Sequence, residues 1–213
     1  MCTGRVDPTH ILRAFSKGAD GVLLGGCKLN ECNYVTGGNF HAINMVLFFR
    51  KILEQIGLAP DRLNIQFMSG SEGTVYVDVI NNFVQKIKEL GPLGESEGMD
   101  EKVLKLKFKA LERIIPYIRL VESERLRVSL PKADDYKAFY NSEILEKLFS
   151  EIVVDKLAMS EIMMLLREEA HTAAEISQTL GLTPSETSKY LSNSAKHGLV
   201  RYADSKWSYA MAT

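Results

Sequence analysis

The chain has 213 residues, 46% of them hydrophobic, and carries 26 Lys and Arg against 27 Asp and Glu, for a formal net charge of −1. This composition argues against a disordered chain, and the near-neutral charge gives no general attraction to nucleic acid or to anionic membranes. The apolar runs are shorter than the roughly 18 residues that a membrane span needs, and no leader opens the chain. We therefore expect a cytoplasmic protein without a membrane partner.

The first part of the chain alternates between helical and strand periodicities. A helix is predicted from Asp7, a favourable N-cap followed by Pro8, to Gly18. The apolar run at residues 20–26 is typical of a strand that is covered on both faces. A wide apolar helical face then ends at Gly57. The opening therefore predicts helix, strand and helix in that order.

The alternation continues with a strand at residues 62–69 and an amphipathic helix at residues 76–90. Helices placed between such strands indicate right-handed crossovers on a parallel sheet, which is an α/β fold. Two strands alone rarely make a stable sheet. We therefore expect further strands to precede Met1 or to come from another chain.

The middle of the chain is predicted to be helical. Residues 91–100 have the composition of a linker, rich in glycine and acidic residues. A long amphipathic helix follows, and Pro116 should kink it or end it. Beyond Pro131 the apolar pattern is helical almost throughout. These residues predict a helical connector rather than a further sheet.

Residues 151–213 have the element order of a winged helix-turn-helix. Thr172 and Thr183 are favourable N-caps for two short helices, and Gly181 suits the turn between them. A two-stranded ribbon with its tip at residues 203–206 completes the pattern.

The last helix of this segment carries polar residues that could reach DNA. They are Ser185, Thr187, Ser188, Lys189, Ser192, Asn193 and Lys196. Residues 151–213 nevertheless hold six Lys and Arg against eight Asp and Glu, whereas DNA-binding modules concentrate positive charge. Winged helices also serve as docking and dimer modules. DNA binding is therefore disfavoured but open, as is a homodimer through the C-terminal region.

All three cysteines, Cys2, Cys27 and Cys32, lie in the first 32 residues, and without a secretion signal they do not indicate disulfides. Two glycines precede Cys27 and permit close approach of the backbone to sulfur. Lys28, in the loop before Cys32, should favour thiolates. The pattern indicates a metal or cluster site, with a redox thiol or plain structural thiols as alternatives.

Other candidate site residues have simpler explanations. His10 and His41 could complete a Cys3His zinc site, but both occupy positions of ordinary helix-surface histidines. Ser69, Ser71 and Glu72 lie where open α/β sheets bind ligands, although an N-cap with a carboxylate at the helix dipole accounts for them. The sequence has no G-x-G-x-x-G, Walker or hydrolase motif, which argues against nucleotide binding and hydrolysis.

Several longer motifs resemble one family. They are MCTGRVDP at the start, GGCKLNEC followed by GN, EQIGLAPDRL, SGSEG near the end of the second strand, and VQKIKELGPLG. Through these motifs, residues 1–95 are similar to the delta-subunit family of the methyl-viologen-reducing hydrogenase of methanogens, also called the MvhD or FlpD family.

The resemblance implies a flavodoxin-like α/β domain with a [2Fe-2S] cluster. Members of the family pass electrons between a hydrogenase or formate dehydrogenase module and the flavin-bearing subunit of a heterodisulfide-reductase-type complex. Cys2, Cys27 and Cys32 match cysteine positions of the family and are the candidate cluster ligands. No bond chemistry is expected in this chain, so no catalytic residue is predicted.

The sequence departs from the family pattern at its N-terminal side. Family members typically begin with a strand that carries a C-x2-C pair and a second strand that leads into the residues found here at Met1 and Cys2. A [2Fe-2S] cluster takes four ligands, usually thiolates, and three cysteines cannot supply them. Either the fourth ligand comes from His, Asp or a partner chain, or it is missing and the cluster is lost.

The sequence therefore predicts three parts: an iron-sulfur α/β domain at residues 1–95, with a flavodoxin-like parallel sheet incomplete at its N-terminus, a helical connector at 96–150, and a winged helix-turn-helix domain at 151–213. The predicted function is one-electron transfer between hydrogenase or formate dehydrogenase subunits and a flavin subunit. The alternatives are a redox- or metal-sensing winged-helix transcription factor and a docking scaffold without a cofactor.

Overall fold

The computed structural model describes residues 2–34, 37–203 and 208–212. Internal packing divides the chain into an N-terminal unit, residues 1–100 with 117–148, and a C-terminal unit, residues 101–116 with 149–213. Residues 96–150, predicted as a connector, contribute to both units. Within the described ranges, no helix is both long and apolar enough to cross a membrane.

The N-terminal unit alternates helices and strands as predicted. After a 3-10 turn at Thr3–Arg5, its elements are α1 (Pro8–Ser16), β1 (Val22–Cys27), α2 (Asn39–Gln55), β2 (Leu63–Met68) and α3 (Gly73–Leu90). The unit also contains the last turns of α4 (Glu101–Val121), α5 (Ala133–Tyr140) and most of α6 (Glu143–Phe149). Strands β1 and β2 pair in parallel, with Cys27 opposite Met68, so the predicted parallel sheet is confirmed.

Local sequence signals explain where the first helix begins and ends. The Asp7 side chain accepts a hydrogen bond from the Thr9 backbone N–H at 2.9 Å, and Pro8 occupies the first helical position. Gly18 follows the helix with a φ of +91°, a conformation that favours glycine. The predicted bounds of α1 are therefore confirmed.

Helix α2 forms the centre of the N-terminal unit. Five of its apolar side chains are fully buried, namely Val46, Phe48, Phe49, Ile52 and Leu53. Full burial of each such side chain stabilises the fold by about 1.5–3 kcal/mol before conformational entropy is subtracted. This packing fixes the position of the N-terminal end of α2, which adjoins the cysteines.

The prediction that β1 is covered on both faces is wrong. Its residues are half-buried or exposed, and α3 has no buried residue. Tyr76 and Val77 of α3 are 54% and 53% exposed. Two strands present too little surface to cover an amphipathic helix of this length, which leaves an open face on both α3 and β1.

Residues 91–100 are a packed turn rather than a free linker, and a buried arginine holds them. Arg62 is 0% exposed, and its Nε and Nη2 donate to the two carboxylate oxygens of Glu97 at 2.7 and 3.0 Å. The guanidinium also donates to backbone carbonyls of four residues, Asp20, Leu90, Gly91 and Pro92. Burial raises the pKa of Glu97, but Arg62 and two backbone N–H groups outweigh it and lower that pKa.

The C-terminal unit is a three-stranded sheet packed on helices. Its elements after α6 are a π-helical stretch at Ser150–Val154, α7 (Asp155–Glu168), β3 (His171–Thr172), α8 (Ala173–Leu180), α9 (Pro184–Lys196), β4 (Val200–Ala203) and β5 (Ser208–Met211). The sheet order is β3-β5-β4, with both pairings antiparallel. The first turns of α4 also belong to this unit, and Pro116 lies inside α4 without ending it.

The helix-turn-helix prediction is confirmed by its caps and its turn. Thr172 and Thr183 each form a reciprocal capping box, with Glu175 and Glu186 respectively. Gly181 adopts a φ of +71° in the left-handed region between the two helices. The ribbon β4–β5 follows as predicted, while the predicted tip falls mostly on residues 204–207, which lie outside the described residues.

The buried Arg62 makes a testable contribution to stability. We expect Arg62→Met to lower the free energy of unfolding by about 3–5 kcal/mol, because the largely buried Glu97 carboxylate would lose its guanidinium partner and four backbone carbonyls would lose their donor. The matched control is Arg50→Met, since Arg50 pairs with Asp61 on a partly exposed surface and should cost less than about 1 kcal/mol. Urea unfolding followed by circular dichroism measures both. Equal losses in the two variants would contradict this assignment.

Candidate functional site

The three cysteines converge where the parallel strands end. Cys27 is the last residue of β1, and Cys32 lies in the loop before α2. Cys2 precedes the 3-10 turn, which is attached to β1 by a hydrogen bond of 2.9 Å from Thr3 Oγ1 to the Gly25 carbonyl. The Sγ atoms of Cys2 and Cys32 lie 3.9 Å apart, and Cys27 is close enough to Cys32 for each thiol to shift the pKa of the other. None of the three cysteines forms a disulfide.

The spacing of these sulfurs suits thiolate ligands. Two thiolates on one tetrahedral metal, each about 2.3 Å from it, lie roughly 3.8 Å apart. The Cys2–Cys32 separation of 3.9 Å is close to this value. Among the described residues, however, no three His, Cys, Asp or Glu side chains are arranged to hold one metal ion. A preformed Cys3His zinc site with His10 or His41 is therefore absent from that part of the chain.

Asn39, the first residue of α2, organises the cysteine loop. Its side chain is 3% exposed, and Nδ2 donates to the carbonyls of Cys27 at 2.6 Å and of Lys28 at 3.1 Å. Its Oδ1 accepts a long hydrogen bond of 3.9 Å from the Cys27 thiol. A single buried amide thus joins the end of β1 to the beginning of α2.

The Cys32 sulfur lies against the N-terminal end of α2. Its Sγ accepts hydrogen bonds from the backbone N–H groups of Tyr34 and Asn39. A Cβ atom added to Gly38 would lie 2.3 Å from this sulfur and 2.5 Å from the Tyr34 carbonyl oxygen. Only glycine at position 38 therefore allows the sulfur to approach the helix so closely.

The environment gives the loop thiols opposite pKa shifts. Burial raises the pKa of Cys32, but the Tyr34 and Asn39 amides and the neighbouring thiols donate to its sulfur and lower the pKa overall. Desolvation raises the pKa of Cys27, and the Cys32 and Cys2 sulfurs raise it further. Cys32 is therefore the thiol of this pair that ionises first.

Lys28 pairs with a carboxylate in the loop after β2 rather than with a thiolate. Its Nζ lies 2.8 Å from Glu72 Oε1, and this hydrogen-bonded ion pair raises the pKa of Lys28. Glu72 occupies the N-cap position of α3, as expected, but its other oxygen accepts from the Ser69 N–H at 2.7 Å. A groove of about 540 Å³ is lined by Cys27 at the end of β1 and by Ser69 and Glu72 after β2.

Sequence reasoning missed Gly38 and the organising role of Asn39. The signal for both was the GGN tripeptide at the beginning of a strongly apolar helix, where a buried asparagine needs backbone partners. Tyr34 was also missed, because a side chain that is 63% exposed gives no hint that its backbone N–H binds sulfur.

The polar face of α9 differs from the prediction at two positions. Thr187 is 0% exposed and donates to the Thr183 carbonyl at 3.0 Å, so it is unavailable to a ligand. Lys189 lies within 3.2 Å of the Asp155 carboxylate, which already compensates its charge. The exposed helix face therefore presents little net positive charge to a polyanion.

Comparison with known proteins identifies the N-terminal part. A family model described as the methyl-viologen-reducing hydrogenase delta subunit matches residues 1–91. The vhu iron-sulfur subunit of the F420-non-reducing hydrogenase of Methanopyrus kandleri is 42% identical over 92 residues, 43% of this chain and 69% of that protein. The chain belongs to this delta-subunit family. Its three cysteines lie within the matched residues.

Two further relatives show how much of each protein the match covers. The iron-sulfur subunit of the F420-non-reducing hydrogenase of Archaeoglobus profundus is 41% identical over 91 residues, 43% of this chain and 66% of that protein. One subunit of the ferredoxin/F420H2-dependent CoB-CoM heterodisulfide reductase of Methanosarcina acetivorans is 42% identical over 94 residues, 44% of this chain. The chain spans only 12% of that reductase protein.

The C-terminal part matches a different family. A model of bacterial regulatory proteins of the arsR family matches residues 158–202. This range runs from α7 into β4 and contains both capped helices. The match agrees with the winged helix-turn-helix that the structure shows.

The order of ionisation at the cysteines can be measured in the reduced, metal-free chain. A lowered pKa gives Cys32 a larger thiolate fraction at any pH below that pKa, whereas Cys27 shifts the other way. We expect the pH midpoint of iodoacetamide alkylation, followed by peptide mass spectrometry, to be lower for Cys32 than for Cys27. The difference between the two pH midpoints should vanish when the chain is unfolded in urea. A midpoint for Cys27 at or below that of Cys32 would contradict the assignment.

Proposed function

We propose that the N-terminal unit binds an iron-sulfur cluster and passes single electrons within a multi-subunit oxidoreductase. The close pair of thiols carries this proposal, because Cys2 and Cys32 lie 3.9 Å apart and Cys27 is near enough for its pKa to respond to both. The names of the relatives, which are iron-sulfur subunits of hydrogenases and subunits of heterodisulfide reductases, support the same role.

In this proposal Cys2, Cys27 and Cys32 provide three of the four ligands of a [2Fe-2S] cluster. When bound, such a cluster supplies a one-electron redox couple. The Tyr34 and Asn39 amides withdraw charge from the Cys32 sulfur, which raises the reduction potential of a centre bound there. The fourth ligand comes from a His or Asp of this chain or from a partner chain.

The proposed partners are a hydrogenase or formate dehydrogenase module and a heterodisulfide-reductase-like flavin subunit. The open faces of β1 and α3 support a larger, flavodoxin-like sheet in the working complex, since two strands leave apolar side chains in water. Among the four exposed apolar residues of α3 are Tyr76 and Val77.

Iron analysis tests the proposal. We expect the chain, co-expressed with its partner subunits and purified without oxygen, to carry about two iron atoms and the visible absorption of a sulfide-bridged cluster. Serine at Cys2, Cys27 or Cys32 should lower the iron content. Absence of iron and of visible absorption in the complete assembly would exclude the relay and leave the docking scaffold.

A pair of glycine variants tests the geometry without touching a ligand. Gly38→Ala should lower iron affinity by about tenfold or more, because its Cβ would displace Cys32 Sγ from the α2 amides. Gly25→Ala is the matched control, since a Cβ at that position meets no atom within 4 Å. Iron retention during titration with a chelator compares the two. Equal iron retention in the two variants would show that the position of Cys32 Sγ does not affect iron affinity.

The second candidate function is a redox- or metal-sensing transcription factor, which the arsR-family match at residues 158–202 favours. Such a protein would bind a palindromic duplex as a dimer, with α9 in the major groove. The local charge opposes this, because Lys189 is paired with Asp155 and Glu186 lies on the same helix. We therefore propose docking or dimer formation, rather than DNA reading, for the C-terminal unit.

Selection from a random duplex library distinguishes these functions. At physiological salt, we expect the full chain to enrich no sequence, since few Lys and Arg side chains are available to release counterions from DNA. Enrichment of a palindrome, with affinity that falls steeply as salt rises, would instead establish the regulator.

A further inference from the structure

A cavity of about 450 Å³ lies beside Cys2 in the N-terminal unit. The Arg5, Arg127 and His41 side chains line it, together with Tyr34 and the backbone at Gly4 and Gly37. Its volume falls in the range of sites that hold small molecules. Cys27 is absent from its lining and belongs instead to the groove at the ends of the strands.

Arg5 and Arg127 bring positive charge to the cavity. Within the described parts of the chain, the side chains of Arg5 and Arg127 form no ion pair or hydrogen bond. By contrast, nearby Arg119 reaches the Asp7 carboxylate at 3.1 Å. Guanidinium groups that converge on one space without a carboxylate are a typical arrangement for binding carboxylate or phosphate.

The charges around the cavity shift the pKa of His41. Burial lowers its pKa, and Arg127 and Arg5 lower it further, although the Glu122 carboxylate 3.8 Å from its Nδ1 acts in the opposite direction. Glu122 is itself buried and accepts a hydrogen bond of 2.8 Å from Asn44. Both guanidinium charges therefore act on His41, where the Glu122 carboxylate opposes them.

Close backbone packing forms one wall of the cavity. A Cβ on Gly4 would lie 2.3 Å from the Gly37 carbonyl oxygen and 2.6 Å from that of Gly38. The 3-10 turn and the segment before α2 are thus in direct backbone contact. This contact holds Arg5, three residues after Cys2, on the wall of the cavity.

We propose that this cavity binds a small oxyanion, either phosphate or a carboxylate, between Arg5 and Arg127. The bound anion covers the Cys2 side of the cysteine site and leaves Cys27 accessible. The proposal is independent of iron binding, because every group it uses is present in the metal-free chain.

Differential alkylation of the reduced, metal-free full chain tests the proposal. Millimolar phosphate should slow the reaction of Cys2 with iodoacetamide severalfold relative to sodium chloride of equal ionic strength, while Cys27 reacts as before. Acetate in place of phosphate distinguishes the two oxyanion sources. Titration calorimetry with phosphate gives the affinity directly, and Arg5→Gln or Arg127→Gln should weaken it by about tenfold.

The matched control is Arg125→Gln, because Arg125 lies two residues before Arg127 and does not line the cavity. Arg125→Gln should leave both phosphate affinity and Cys2 protection unchanged. Circular dichroism verifies that each variant folds. The proposal is overturned if neither phosphate nor acetate binds or protects Cys2 beyond the chloride control, or if Arg125→Gln matches the cavity variants.

Discussion

The hydrogen bonds of Asn39 are the interaction on which the cysteine site depends. The buried amide donates to the carbonyls of Cys27 and Lys28 at the end of β1, and the same residue's backbone N–H binds the Cys32 sulfur. One residue therefore fixes two cysteines relative to each other. Asn39 is itself buried, and leaving its amide unpaired would cost about 1–3 kcal/mol, which favours this one conformation of the loop.

The position of the thiols follows from the topology of the parallel sheet. In open α/β sheets, the carboxyl ends of the strands and the N-terminal ends of the following helices meet at one edge. Here that edge supplies free N–H groups and a positive helix end, which stabilise thiolate at Cys32. An edge that commonly binds phosphate thus holds a thiol sulfur here.

The sequence predicted the helices and strands better than the contacts that surround them. Caps such as Asp7, Thr172 and Thr183 are local signals, and the helices that they begin are correct. The partner of Lys28 could not be predicted, because Glu72 is 44 residues away in the chain and meets it only through strand pairing. Likewise, the glycine-rich composition of residues 91–100 concealed the anchoring by Arg62.

The candidate site was predictable in its residues but not in its geometry. Cysteine clustering and family motifs identified Cys2, Cys27 and Cys32, whereas their spacing depends on a turn at Thr3–Arg5 and on Gly38. The expected coverage of β1 failed because periodicity shows that a strand is apolar without showing whether neighbouring strands exist. By contrast, local sequence determines the caps and the turn of α8 and α9.

X-ray absorption at the iron edge, on the chain purified without oxygen in its complex, tests the central claim most directly. If the cysteines hold a cluster, we expect a first shell dominated by sulfur together with scattering from a second iron, both reduced in Cys32→Ser. A first shell of nitrogen and oxygen alone, or a spectrum that Cys32→Ser leaves unchanged, would contradict it.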